Sequence, residues 1–316
     1  MNDLPRIAVV TPSYNTGRHI GAAVRSVLEQ DYPNFDYIVM DGGSTDQTVD
    51  VLRGFGERLR WVSQTDAGQA DAINKGFART GGEVLCWLNS DDTYAPGAFR
   101  SVAQFFAANP DVDVVYGDAS YTDAQGKVIA PCVHVEPYNR HRLFHYSDFI
   151  VQPATFFRRS AYEAVGGIDP DIHWAMDYDL WLKMAKRFNF AYLPRRLADF
   201  RWLANNKTAT GSWGRLDEIG RILRRQGHGI PAYIRLERIN LHAREAVDAL
   251  THGDLGRAVA SAARAAVTTL SSPRVLRSLL SVQTWRVMWV GQVLRRRAAA
   301  ADQRQERLAL ASHSPA

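Results

Sequence analysis

Short apolar runs separated by polar turns recur along the first two hundred residues. Ile7–Val10, Tyr37–Met40, Leu59–Val62 and Val84–Leu88 are each four or five residues long and dominated by apolar side chains. Runs of this length predict strands, and near-continuous apolarity predicts strands covered on both faces. Between them the apolar positions recur three to four residues apart, at Ile20, Val24, Val27 and Leu28, then through Thr48, Val51 and Leu52, then along Asp71–Arg79. That spacing predicts helices. Asp31-Tyr32-Pro33-Asn34 stops the first of them, and Thr45 or Asp46 can cap the second. Regular alternation of this kind implies right-handed βαβ units, hence an α/β fold with a mostly parallel sheet flanked by helices. Further strands are expected at Val112–Asp118 and Gln152–Phe157, a turn at Gly166–Asp169, and a helix opening at Asp177 with acidic residues in its first turn, where the helix dipole favours them.

In such sheets ligands bind outside the carboxyl ends of the strands. Thr11–Asn15, Asp41–Asp46 and Asn89–Asp92 each follow a predicted strand, so three polar segments converge on one rim. Asn89-Ser90-Asp91-Asp92 is the most informative of them. Neighbouring carboxylates repel and raise one another's pKa unless a cation is shared between them. Oxygen-only ligands suit Mg²⁺ or Mn²⁺, which often bridge a carboxylate to a nucleotide's phosphates. An Asx-rich turn that caps the next helix is the competing reading. Asp41 precedes two glycines that permit close backbone approach, and its carboxylate could accept from an N–H donor and a ribose hydroxyl. Lys75 could reach a phosphate, or serve only as a partner of its own helix dipole.

Charge divides the chain. The formal net charge is +5, but from Arg215 onward there are 17 arginines, no lysine and 8 acidic residues, leaving residues 1–214 net negative. The basic character therefore concerns the partners of the C-terminal third. We expect a catalytic domain over 1–214, a helical Arg/Ala-rich extension over 215–300 and a disordered tail over 301–316. Within the extension, about 274–300 reads as an amphipathic helix with Trp289 on its apolar face and Trp285 nearby. It would lie on an anionic membrane surface, or pack on its own domain or a second copy in a homodimer. No supporting nucleic-acid motif accompanies it, so no nucleic-acid partner is expected. The two cysteines, Cys86 and Cys132, indicate no disulfide framework, which fits a reducing cytoplasm. No signal peptide or membrane-spanning run is evident. His134, His141, His145 and His173 match no zinc spacing.

Taken in order, Thr11-Pro12-Ser13-Tyr14-Asn15, Ser26–Gln30, Asp41–Asp46, Asn74-Lys75-Gly76, Leu88–Asp92 and Asp177–Lys183 resemble the family 2 glycosyltransferases, over roughly residues 6–205. These are inverting enzymes of the GT-A fold, and the nearest subset builds bacterial surface polysaccharides and O-antigens. The resemblance implies transfer of a hexosyl or N-acetylhexosaminyl group from a nucleotide-diphosphate sugar, with a UDP-sugar favoured. The acceptor would be a glycan or a lipid-linked hydroxyl at the inner face of the cell membrane. It implies that Pro12, Tyr14, Asn15, Asp41 and Gly42 line the base and ribose pocket, with Asp66, Lys75, Asn89 and Ser90 near the ribose and phosphates. Asp91, with Asp92 beside it, would hold a divalent cation. Asp177 would be the general base, and Trp174, Asp179, Arg201 and Lys207 would lie near acceptor or diphosphate, the last two on a closing loop. One base suffices for inversion, whereas a retaining hydrolase needs two flanking carboxylates. Two positions depart from the pattern. Asn89 stands where the first acid of Asp-X-Asp is expected, and Met176 where many relatives carry Glu. Those departures leave open a non-catalytic nucleotide-sugar-binding subunit of a transferase complex.

Overall fold

The structure, a computed structural model, describes residues 4–146, 148–203, 206–207 and 213–270. In chain order the elements are β1 Ile7–Ser13, α1 Ile20–Leu28, β2 Phe35–Asp41, α2 Thr48–Arg53, β3 Arg60–Ser63, α3 Gln69–Ala78, β4 Val84–Trp87, β5 Thr93–Tyr94 and α4 Ala98–Ala108. They continue with β6 Val114–Thr122, β7 Val128–Pro131, α5 Arg140–His145, β8 Thr155–Arg158, α6 Arg159–Ala164, α7 Met176–Ala185 and β9 Phe190–Arg201. Three helices follow: α8 Trp213–Arg225, α9 Ala232–Thr251 and α10 Leu255–Leu270. The described residues form two compact units, one of 1–138 and 149–201, the other of 139–148 and residues from 202 onward. The boundary expected at 214 thus falls at Arg201, and 139–148 groups with the helices. The segment 274–300, expected as an amphipathic helix, and the expected tail 301–316 lie outside the described residues.

The first unit is a mixed α/β structure around one sheet, ordered β3-β2-β1-β4-β8-β6-β9-β5, with β7 pairing β6. Its β3-β2-β1-β4 half is parallel, as the βαβ pattern predicts. Beyond β4 the pairing is mixed: β8 runs antiparallel to both its neighbours, while β6 and β9 are parallel. β1 and β4 are buried along their whole length, which is why their sequences show no polar alternation. Alternate residues of β1 serve opposite faces. Ile7 and Val9 join the core of Ile20, Val24, Phe99 and Val102, contributed by α1 and α4. Val10 on the other face meets α3.

That second contact is unusually close. A methyl added at Gly76 would come within 2.5 Å of Val10 Cγ1 and 3.1 Å of Met40 Cγ. Glycine here lets α3 lie against β1 and β2 and so draws the start of α3 up to their carboxyl ends. Gly76→Val is expected to cost about 3 kcal/mol by overpacking, lowering the thermal midpoint of a circular-dichroism melt by roughly 6–12 °C. An unchanged melt would contradict this packing.

The second unit is helical. Trp213 Nε1 donates to Glu245 Oε1 (2.7 Å) and Arg238 pairs with Asp217 (2.7 Å), tying α8 to α9, and the Phe144 ring of α5 lies 4.4 Å from that of His228. Among the described residues no helix is long and apolar enough to cross a membrane.

Candidate active site

The three polar segments do meet at the carboxyl ends of the parallel strands. Ser13 and Asp41 are register partners at the ends of β1 and β2, and Gly42 N donates to Ser13 O (2.8 Å). Pro12 is buried in β1, whereas Tyr14, just past the end of β1, is 63% exposed. Asn15 has φ of 52°, a left-handed conformation uncommon for any residue but glycine and tolerated best by Asn and Asp. Its backbone N–H donates to Ser44 Oγ (2.7 Å) and its Oδ1 accepts from Thr45 N (2.9 Å), so two hydrogen bonds hold this backbone in place.

Asp41 is only 2% exposed. It accepts from Ser44 N (3.0 Å), Ser44 Oγ (2.5 Å) and Ser63 Oγ (2.6 Å). The carboxylate therefore organises the 41–46 turn and the end of β3 with most of its acceptor capacity. Beside it, Asp66 packs closely over Gly42, where a methyl would lie 2.9 Å from Asp66 Oδ2. Asp66 in turn accepts from Gly68 N (2.8 Å) just ahead of α3. Lys75 is bound within its own helix: its Nζ donates to Asp71 Oδ2 (2.6 Å), which also accepts from Ala67 N (2.9 Å). These donors hold the Asp71 carboxyl below its usual range. Asn74, next to it in the Asn-Lys-Gly motif, is structural. It donates to Ile168 O (2.8 Å) and accepts from the Tyr162 hydroxyl, bracing the turn that leads toward α7.

After β4 the chain folds into Asn89-Ser90-Asp91-Asp92, with Asp92 N donating to Asn89 O (3.1 Å). Ser90 is buried and Asp92 is 1% exposed. Burial pushes both aspartates up, Asp92 well up because Asp91 adds its charge. Asp92 Oδ1 accepts from Arg201 N (2.9 Å). Arg201 is the last residue of β9 and 5% exposed, so it sits on a strand and not on the closing loop expected for it. Its guanidinium donates to the carbonyls of Asp91 (2.8 Å) and Ala124 (2.8 Å), which pins the Asp91 backbone. Among the described residues the Asp91 side chain accepts no hydrogen bond from another residue. An open carboxylate, raised by burial and adjoined by a second, is the kind of oxygen donor a hard divalent cation takes. Among the described residues no group of three or more His, Cys, Asp or Glu comes together as a metal cage. Asp92, buried with both carboxylate oxygens bonded inside the protein, is not placed as the ligand expected of it, which leaves Asp91 as the carboxylate that fits a cation keeping water or phosphate oxygens, as Mg²⁺ commonly does.

Asp177 lies in the first turn of α7, where its Oδ1 accepts from Tyr178 N (2.8 Å). The helix is fixed beside β4 by Trp181, fully buried and stacked on Trp87 at 5.7 Å and 19°. Trp87 is the residue from which the 89–92 loop departs, so one aromatic pair relates the two acidic segments. Asp179, 4% exposed, pairs with Lys183 (2.9 Å), whose Nζ also donates to Gly167 O (3.2 Å). Asp179 therefore braces the turn before α7. Trp174 packs against His173 with ring centroids 4.8 Å apart. Lys207 belongs to the second unit.

Three participants escape the sequence reading. Ser63 holds Asp41, and Gln69 and Gln152 both hydrogen bond to Asn89. Gln152 left one trace, a lone amide following the apolar run Phe149-Ile150-Val151.

Known proteins resemble this chain in sequence and fold. The family model described as Glycosyl transferase family 2 matches residues 8–166. The hyaluronan synthase of Pasteurella multocida is 26% identical over 198 residues, covering 62% of this chain and 20% of its own length. The chondroitin synthase of Escherichia coli is 27% identical over 195 residues, covering 61% and 28%. An uncharacterized glycosyltransferase of Rickettsia typhi is 25% identical over 194 residues, covering 58% and 59%. The chain thus spans less than two thirds of the length of these curated relatives. Among solved structures, mannosyltransferase PcManGT from Pyrobaculum calidifontis, in complex with GDP-Man and Mn²⁺, matches with a TM-score of 0.54 at 20% identity, covering 94% of this chain and 86% of that one. S. aureus TarS 1–349 in complex with UDP-GlcNAc matches with a TM-score of 0.53 at 16% identity, covering 93% and 83%. These likenesses bear on the fold, which is GT-A. With the motif order, the strand-end rim and the match over residues 8–166 in accord, the chain belongs to glycosyl transferase family 2.

Proposed function

We propose that this glycosyltransferase moves a sugar, with inversion, from a nucleotide-diphosphate sugar to a hydroxyl of a glycan or lipid-linked acceptor in cell-surface polysaccharide synthesis. The observation that supports the reading is the Asp91 carboxylate, which accepts no hydrogen bond from another described residue, in the loop after β4, the strand against which the Trp87–Trp181 stack packs the helix of Asp177. Asp177 would accept the acceptor hydroxyl's proton as that oxygen attacks the anomeric carbon and the nucleoside diphosphate departs. Asp91, with Asp92 behind it, would hold a divalent cation, which when bound offsets charge on the departing diphosphate. Tyr14, Asn15 and the Gly42–Asp66 edge would receive base and ribose. A UDP-sugar is the donor that the motif resemblance favours, and proteins of the same fold are seen in complex with UDP-GlcNAc and with GDP-Man. Peripheral contact with the inner face of the cell membrane through the 274–300 segment completes the proposal, supported by the arginine excess of the C-terminal third.

A thermal-shift panel of UDP, GDP and their sugars, each with and without Mn²⁺ or Mg²⁺, checks this. One nucleotide is expected to stabilise the chain by several degrees, and more with metal, since a ligand at 100 times its Kd adds about 2.7 kcal/mol. No shift with any member of the panel would overturn the reading.

A further inference from the structure

Asn89 occupies the position where the family pattern has an acid, and its surroundings explain the exchange. The chain of side-chain amides around it has a fixed polarity. Trp87 O can only accept, so Gln152 must turn its Nε2 toward it, at 2.8 Å. Gln152 Oε1 then faces Asn89, whose Nδ2 donates to it at 3.0 Å and lies 3.3 Å from Asp92 Oδ2. Asn89 Oδ1 is thereby directed the other way, where it accepts from Gln69 Nε2 at 2.7 Å. Both polar atoms of the Asn89 side chain are used by the protein. Gln152 is buried, so water does not readily replace it.

We infer that Asn89 is a positioning residue, the centre of an amide relay from Trp87 O through Gln152 to Gln69 that fixes the Asp92 carboxylate, and not a weakened metal or ribose ligand. Asp92 is then held from two sides, Oδ2 by Asn89 and Oδ1 by Arg201 N, which leaves Asp91 as the carboxylate of the pair not committed to the protein. An aspartate at 89 would set a carboxylate against an amide oxygen and a second carboxylate, with no donor between them. The metal aspect of this inference rests on the function proposed above; the relay itself does not.

The test uses the full chain and the variants Asn89→Asp, Asn89→Ala, Gln152→Met and the double variant Asn89→Ala/Gln152→Met. Calorimetric titration with UDP, and with GDP as second probe, is run in EDTA and in MnCl₂. Asn89→Asp is expected to weaken nucleotide binding in MnCl₂ by at least about tenfold, because a repelled Asp92 shifts the adjoining Asp91, an effect of the size that loss of outer-shell support produces. Binding in EDTA should stay within about twofold, a split that a general loss of structure would not give. Ligand-free melts should show the double variant no less stable than the worse single variant, because both substitutions break the same relay. Mn²⁺-dependent binding by Asn89→Asp as tight as, or tighter than, that of the parent would overturn the inference and make Asn89 a ligand position. So would additive destabilisation in the double variant. If Asn89→Asp does not fold, the Ala/Met cycle decides alone. If the parent binds neither nucleotide with metal, the proposed function fails, while the ligand-free cycle still decides the relay.

Discussion

Replacing Asp177 by asparagine is expected to lower donor turnover by about 10³-fold, within the range that one general base supplies, while leaving nucleotide binding within about twofold. Asparagine keeps the size of the side chain and an oxygen that can accept from Tyr178 N, so the first turn of α7 should persist. What it loses is the capacity to take a proton. The neighbouring Asp179→Asn separates this effect from damage to the helix. Asp179 is buried against Lys183, which also reaches Gly167 O, so its loss should appear in the melting temperature before it appears in chemistry. Release of nucleoside diphosphate by single-turnover assay, read beside a melt for each variant, distinguishes them. Full turnover by the folded Asp177→Asn protein would remove Asp177 from the base role.

Asp91→Asn should act in opposite directions on stability and activity. Burial raises the Asp91 carboxyl and burial plus the Asp91 charge raises Asp92, so ionising the pair costs more in the folded chain than in the unfolded one. Stability from this pair is therefore fully present below the usual carboxylate pKa of about 4 and is lost as pH rises through the raised folded values. At neutral pH the ligand-free protein carries that cost. Asp91→Asn relieves it without removing a hydrogen bond to another described residue, so its ligand-free midpoint should rise by about 2–4 °C, corresponding to about 1 kcal/mol. Metal-dependent turnover should fall by about 10²–10³-fold, equivalent to roughly 3–4 kcal/mol of barrier. In the parent, stabilisation by Mn²⁺ should grow from pH 5 to pH 8 as the pair ionises. A lower ligand-free midpoint, or unchanged Mn²⁺ dependence, would contradict the assignment of Asp91.

The parallel half of the first unit was legible because each of its central strands is buried on both faces. Apolar residues predominate there, and polar ones such as Thr11 and Ser13 come in toward the strand ends. The ordered motifs located the rim for the same reason. β9, the longest strand, was hidden by Pro194-Arg195-Arg196 at its middle. Those residues lie at an irregularity in the β6–β9 register, where Gly117 gives way to Arg195 O. Pattern reading takes such a break for a loop, and with β9 went the true setting of Arg201. Single residues were less legible than segments. Asp41 could be found as the end of a strand, but not that Ser44 and Ser63 occupy most of its acceptors. Lys75 could be seen on a helix, but its commitment to Asp71 depends on rotamer and local geometry. The role of Asn89 depends on Gln69 and Gln152, which lie 20 and 63 residues away along the chain.

The placement of Arg201 also sets an order of assembly. The pairings of the parallel half join neighbouring βαβ segments within residues 7–87. The loop 89–92 is different, because its clamp arrives from a residue 109 positions further along, at the end of a strand that pairs with β6 at long range. Loop-closure entropy makes such a contact late in folding. During synthesis the two acidic residues must therefore emerge and wait, near each other and without their clamp, until β9 docks. The 89–92 corner of the rim is thus expected to take shape after the Asn15 and Asp41 segments, whose partners all precede residue 87.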